Sequence, residues 1–422
     1  MKKLIAVSAV AALAATALSA EITFGSWGRA LWVAAANGSY TETDANGKTT
    51  YSSTIVSDVH QSWGGASAPR TALSINGTSD NVGFALDIFA NGTDGDLPGD
   101  NALIWVKPID QVKISVGKHD QNVLRGDGCF GLWNWDRIGC VADQEGWTFA
   151  DYLDGEKVDI VATPVEGLTI GVGIPVVLKH NANWAGYGDK TTTKAGTDVT
   201  KDGVYTLSGI YAHGAVYLGA YNIDGIGTIK AALKTLPKKN VAEEGKPADE
   251  KSQTEIAAAF DLTAVENLFV SVGAKINTLK EANTQNINAY VRYGVNEALT
   301  VHALVGTNLN GADKKEKKAD GALGFLAGVG VDYNLDGGIG LFADVRYANG
   351  IFCNGTSADN SDSLTLGVGA TKGFSNGLIG IAFEGATNNG GRYELEPKVN
   401  DDGSKVYDKF SWEIPVRFEY WF

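Results

Sequence analysis

The chain predicts an all-β fold: a transmembrane antiparallel β-barrel of about eighteen strands, with short turns at one end and long external loops at the other. Three observations carry this. From residue 22 onward, apolar side chains recur at every second position in segments of about ten residues, the period of a strand with two unlike faces. The connections between those segments alternate, short then long; a two-sheet sandwich gives no reason for this, and a membrane-spanning barrel does. Beyond the first twenty residues no uninterrupted apolar run is long enough for a membrane helix, so any crossing must use strands.

Composition points the same way. Fifty-three glycines, 15 tyrosines, 10 tryptophans and 1 methionine suit a β protein rich in tight turns. The mean hydropathy of -0.08 is what alternation gives when half of each strand is apolar and half polar. A formal net charge of -14 argues against nucleic acid as a partner. The N-terminus, "MKKLIAVSAVAALAATALSAEITFG", has two lysines, an apolar run from Leu4 to Leu18, and then small residues at Ser19 and Ala20. This is the pattern of a secretory signal peptide cleaved after Ala20. The expected organisation is a signal peptide over residues 1–20 and one barrel domain over 21–422, with a long loop inserted at about 119–156.

The strands read in order as follows. "ITFGSWGRALWVAA" is followed by a polar stretch to about Ser67, then "APRTALSING" turns tightly at Ser79–Asn81 into "VGFALDIFA". After the loop "NGTDGDLPGD" come "NALIWVK", a turn at Pro108–Asp110, and "QVKISVGK". Further tight turns fall at "VEG" (165–167), "DG" (224–225), "VEN" (265–267), "VNEA" (295–298), "LDGG" (335–338) and "FSNG" (374–377). Polar loops separate them at about 119–156, 177–203, 236–251, 279–283, 308–319, 349–361 and 388–407. Sixteen strands is the nearest alternative count, because "GVYTLSGIYAHGAVYLGAY" reads either as one long strand or as a strand after an ordered loop.

The last strand, "KFSWEIPVRFEYWF", sets Trp412, Ile414, Val416, Phe418, Tyr420 and Phe422 on one face. Ser411, Glu413, Arg417 and Glu419 lie on the other. A long aromatic-tipped face of this kind needs a cover: a second sheet, or lipid. The signal peptide, the two-sided strands with tight turns on one side, and the terminal Phe422 together resemble the bacterial outer-membrane β-barrel proteins and, by size, the porins. The likeness covers the whole mature chain as pattern. It implies outer-membrane lipid around the barrel and recognition of Tyr420 and Phe422 by the barrel-assembly machinery. It also implies passive diffusion of small hydrophilic solutes and ions through a water-filled lumen, and a homotrimer as general porins form. A substrate-selective channel, for example for sugars, and a surface adhesin or structural barrel are the alternatives.

If the apolar parity of each strand faces lipid, the other parity faces the lumen. It carries Arg29, Asp87, Lys113, Asp159, Lys230, Lys234, Lys275, Arg292, His302, Asp332, Asp344, Arg346, Glu384, Glu413, Arg417 and Glu419. A soluble sandwich would rarely bury so many strand charges, whereas a water-filled channel solvates them. Trp32, Trp105, Tyr293, Tyr333, Tyr347 and Tyr420 fit interfacial belts. Loop acids such as Asp94, Asp96 and Asp143 favour cations and the lumen Lys and Arg favour anions, so the sign of selectivity stays open.

The loop after "QVKISVGK" is too apolar to stand in water, with Phe130, Trp133, Trp135 and Trp147. In porins the third external loop folds into the barrel. The resemblance implies the same placement here, with Trp133 and Trp135 in the loop and Arg125, Asp127, Asp136 and Arg137 at the narrow point. Cys129 and Cys140 are candidates for a small disulfide within this loop, with Cys353 left over and its pairing with either one open. Porins commonly lack cysteine, so this is a departure. No Cys or His spacing reads as a metal site, and no cofactor is expected. The glycine runs "GFLAGVGV" and "GLTIGVGI" lie inside strands, where a phosphate-binding loop has no helix to open. The chain is not expected to be an enzyme: His60, His119, His180 and His213 fall in or beside loops, and His302 stands alone in its strand.

Overall fold

The computed structural model describes residues 21–60, 70–90, 101–119, 124, 155–175, 215–241, 249–279, 285–309, 323–353, 362–388, 393–394, 398–399, 405–406 and 410–422. The strands are β1 (Glu21–Thr43), β2 (Thr49–His60), β3 (Arg70–Thr78), β4 (Val82–Ala90), β5 (Ala102–Ile109), β6 (Val112–His119), β7 (Gly155–Val165) and β8 (Leu168–Pro175). They continue as β9 (Val216–Ile223), β10 (Gly227–Val241), β11 (Asp249–Leu262), β12 (Leu268–Asn277), β13 (Gln285–Gly294), β14 (Leu299–Leu309), β15 (Leu323–Leu335), β16 (Ile339–Ala348), β17 (Ser363–Phe374) and β18 (Gly377–Thr387). Three two-residue bridges, β19 (Tyr393–Glu394), β20 (Lys398–Val399) and β21 (Lys405–Val406), precede the long closing strand β22 (Phe410–Trp421).

Consecutive strands of the wall pair antiparallel, and β22 pairs with both β18 and β1, which closes the sheet on itself. β2 and β3 lie end to end along the same edge of β1. β1 pairs with β3 from Glu21↔Thr78 to Arg29↔Arg70, and then with β2 from Leu31↔His60 to Thr43↔Thr49. Together they form one stave, so the barrel has 18 strands. Closure removes the edge that the aromatic face of β22 would otherwise offer to other chains.

The tight turns lie at the end that also holds Glu21 and Phe422, where the Phe422 amide donates to the Ser26 carbonyl at 2.7 Å. Their geometry follows from their residues. Between β15 and β16, Gly337 and Gly338 both adopt φ near +77°, which side chains other than glycine rarely tolerate. Between β13 and β14, the Asn296 carboxamide oxygen accepts from the amides of Ala298 and Leu299 at 2.9 and 2.8 Å.

Two polar stretches differ from the sequence reading. The segment expected as loop up to Ser67 is largely strand: β1 runs on to Thr43 and returns as β2. Threonine, serine and valine favour extended chain, and Asp44 closes the hairpin by accepting from the amides of Asn46 and Lys48 at 2.9 and 2.8 Å. Likewise β10 and β11 extend into the stretch read as a loop at 236–251. In the ambiguous stretch before Tyr221, β9 covers Val216–Ile223.

Among the described residues the buried apolar side chains form small clusters, one around Leu124 and one around Cys353. The outer face carries the exposed apolar side chains, in two girdles with aliphatic residues between them. Tyr221, Tyr293, Tyr333, Phe374 and Phe422 ring the short-turn end, and Tyr217, Phe325, Tyr347 and Phe410 the other. At the β1/β22 closure, Gly28 stands opposite Tyr420, and a Cβ at Gly28 would meet the tyrosine ring at 2.3 Å. The glycine is the socket into which that ring folds.

Candidate channel lumen

Inward-facing side chains are those on the parity opposite the exposed apolar band. The sequence-derived lumen residues Arg29, Asp87, Lys113, Lys230, Lys275, Arg292, Asp344, Arg346, Glu384, Glu413 and Arg417 all have this inward parity, as the exposed Phe24, Val82, Val116, Ile229, Ile276, Tyr293, Val345, Ile381 and Phe418 of the same strands have the other. Cross-strand register then decides which of them meet. One row runs Glu413–Glu384–Gly367–Asp344–Gly330–His302–Arg292 around the wall. Gly367 and Gly330 flank Asp344 in this row.

Most inward charges are paired or hydrogen-bonded. Lys230 Nζ lies 2.5 Å from Asp261 Oδ2, whose other oxygen accepts from the Ser271 hydroxyl at 2.7 Å. Glu419 bridges Arg29 and Arg417, the latter at 2.5 Å. Arg346 sits 3.2 Å from Asp344, and Lys157 3.6 Å from Asp159. Asp87 accepts from the Ser74 hydroxyl and the Asn101 side-chain amide, each at 2.6 Å. In a partly desolvated interior such pairs are held more firmly than on an open surface.

Four cations lie over aromatic rings on this face: Arg70 over Trp27 at 5.4 Å, Lys107 and Lys113 over Trp105 at 5.5 and 5.1 Å, and Arg292 over Phe269 at 5.4 Å. Trp105 therefore does not belong to an interfacial belt, as its sequence suggested. Both parities of β5 are apolar. Ile104 and Val106 took the outer face, and the Trp105 ring folded over Gly83, where a Cβ would lie 2.4 Å from it.

His302 has neighbours that its own strand does not reveal. Its Nε2 lies 2.5 Å from Asp332 Oδ2 and its Nδ1 2.7 Å from the Tyr290 hydroxyl. With Nε2–H donating to the carboxylate, Nδ1 is left to accept from tyrosine. The chain can carry a proton along the wall, but it contains no Ser, Cys or Thr nucleophile. Parity and register together were the signal: Asp332 is diagonal to His302 across the β14/β15 pair.

Toward the long-loop end, Lys157, Lys275, Arg346, Glu384 and Glu413 are at most 7 % exposed, although they line the inside of a wall one layer thick. Leu124, beyond the end of β6, is fully buried against Val216, Leu218, Ala232 and Ala257 on the inner face of β9–β11. Nearer the short-turn mouth, Lys113 is exposed.

The expected constriction residues Arg125, Asp127, Trp133, Trp135, Asp136 and Arg137 lie outside the described residues, as do Cys129 and Cys140. Cys353 is disulfide-bonded and fully buried. Tyr420 and Phe422 sit side by side at the short-turn end, ring centres 5.2 Å apart. Among the described residues no group of His, Cys, Asp or Glu is arranged to hold a metal ion.

The fold is a closed antiparallel β-barrel of 18 strands. Among solved structures, the chain is similar to OmpT in its trimer form, an outer membrane protein of Vibrio cholerae, at 13% identity and a TM-score of 0.40, over 96% of this chain and 100% of that one. It is similar to an anion-selective porin from Comamonas acidovorans at 11% identity and a TM-score of 0.42, over 96% and 100%. A mutant Rh. blastica porin gives 14% identity and a TM-score of 0.42, over 95% and 100%. No protein-family model and no curated protein matches the chain.

Proposed function

We propose that the protein is a channel of the outer membrane through which small hydrophilic solutes and ions diffuse passively, without chemistry on the solute. The single observation that carries this reading is the sorting of side chains by face: exposed apolar residues between aromatic girdles outside, and charges of both signs inside. An interior lined this way is stable only if water or polar groups fill it, and barrels of this strand number enclose an aqueous channel. Residues 1–20 export the chain, and Tyr420 and Phe422 present the closing strand to the barrel-assembly machinery. Leu124 and the covered charges toward the long-loop end support a narrowing of the lumen there by the connection after β6, which carries Arg125, Asp127, Asp136 and Arg137. The outer band would face lipid and, in a homotrimer, neighbouring copies.

The test is single-channel conductance of the refolded protein in planar bilayers, with the reversal potential in a salt gradient. Stable openings on the order of a nanosiemens are expected. Silence from a protein shown to be folded and inserted would overturn the channel and bring forward a surface adhesin.

A further inference from the structure

We propose that Lys107 and Lys113, gathered over the Trp105 ring just inside the short-turn mouth, bind a phosphate group, free or carried by a small solute. Access to this site rests on the channel reading above; its geometry does not.

A local irregularity brings the two lysines together. Val106 pairs with Ile114 and Ile109 with Val112, so Lys107 and Pro108 stand across from the single residue Lys113. This two-against-one count is a β-bulge, which re-aims a side chain from its strict alternation. Proline suits the position, having no amide to lose from the ladder. On the other side of β5 the Lys107 amide donates to the Asn81 carbonyl at 2.7 Å, which ties the bulge to the turn between β3 and β4. Both ammonium groups lie over one ring, 5.5 and 5.1 Å from the centre of Trp105. That ring is seated on Gly83 of β4, where no side chain competes for the space.

The positive charge gathered here is not balanced by an acid of its own. Lys230, Arg29, Arg346 and Arg417 each have a carboxylate within ion-pair distance. Among the described residues neither the Lys107 nor the Lys113 ammonium makes an ion pair or a hydrogen bond, and the Trp105 indole N–H has no acceptor. Asp159, the acid that acts on Lys113 from β7, is itself joined to Lys157 at 3.6 Å. Lys107 and Lys113 therefore repel each other across the bulge. Like charges facing each other on neighbouring strands cost stability, and the negative face of an indole offsets part of that cost. A bound anion offsets the rest.

The donors select the kind of anion. Two positive charges match a phosphate group that is nearly dianionic at pH 7, and two ammonium groups with the indole N–H match its three acceptor oxygens. An ammonium is a point charge with rotatable donors, suited to a tetrahedral oxyanion, whereas a planar carboxylate is better met by the fork of an arginine. Lys113 is exposed and Lys107 half-buried, so a solute entering from the short-turn side reaches both.

The test is calorimetric titration of the folded, detergent-solubilised protein with sodium phosphate at constant ionic strength, where saturable binding is expected. Lys107→Gln and Lys113→Gln are each expected to weaken it about tenfold. Trp105→Leu keeps both charges but removes the ring that gathers them, and is expected to weaken it about threefold. Each variant is first shown to fold by its gel-mobility shift on heating. Equal affinity for glycerol 3-phosphate supports a phosphate group on a small solute as the ligand, and binding of inorganic phosphate alone supports the free ion. No saturable binding to the natural protein overturns the site without recourse to any variant. So does equal affinity in all three variants, or a signal reproduced by sodium chloride at the same ionic strength. Phosphate bound as expected by a protein that inserts in planar bilayers but never conducts overturns the channel reading and leaves the site standing. A conducting protein that binds no phosphate overturns the site alone.

Discussion

Lys230 and Asp261 show how individual charges survive inside this barrel. Both are under 10 % exposed, and Ser271 holds the free carboxylate oxygen. Asp261→Ala is expected to destabilise the barrel by about 3 kcal/mol, since it strands a buried ammonium. The loss would be read as a lower temperature for the gel-mobility shift on heating, and Lys230→Ala/Asp261→Ala is expected to recover part of it. Outside the wall, hydrogen bonds from the Tyr347 hydroxyl at 2.6 Å and the Gly350 amide hold the Asp362 carboxyl below its ordinary value. A depressed folded-state value stabilises the rim above the unfolded carboxylate's pKa and is lost as pH falls through the lowered one. Amide exchange at Gly350 is therefore expected to accelerate in acid, and in Tyr347→Phe to begin accelerating at higher pH. An unchanged pH profile in that variant would remove Tyr347 as the cause. Such pairings were only half legible beforehand. Parity put His302 and Asp332 on the inner face, but only register could say that they touch.

Among the elements, the contact of β1 with β22 decides whether the barrel closes. Gly28 faces Tyr420 across it, and the ring occupies the space a side chain would need. Gly28→Val is expected to cost about 1–3 kcal/mol as overpacking. Gly28→Ala should cost less, and both should lower the same heating transition. Removing Phe422, whose amide pairs with Ser26, is expected to reduce recovery of folded barrel in the outer-membrane fraction more than the in vitro stability of what does fold. Equal losses in both would assign the residue a purely structural role. The strands themselves could be read from alternation, and their turns from Gly, Asn and Asp. The hairpin extensions β1–β2 and β10–β11 could not, because polar strands beyond a membrane lack the apolar period that marks the others.

The whole molecule sums its inner charges into a field along the lumen. Lys113 stands exposed near the short-turn mouth beside Lys107, so ions meet this basic pair on the way through. Lys113→Glu is expected to move the reversal potential toward the cation's, and raising the salt concentration should shrink the difference between variant and parent. No movement at low salt would mean that the covered charges nearer the long-loop end alone set selectivity.

Alternation of side chains determined, from sequence alone, a barrel of about eighteen strands and the face each strand turns outward, since a period of two allows one assignment once one face is apolar; the pairing of β2 and β3 as one stave and of β22 with β1 and β18 made the count 18 and closed the wall. Where both parities were apolar, as around Trp105, the sequence was silent, and a glycine on the neighbouring strand decided the matter. Which charges pair and where Leu124 and Cys353 come to rest belong to tertiary structure. They depend on register between strands far apart in the chain, which no local pattern encodes.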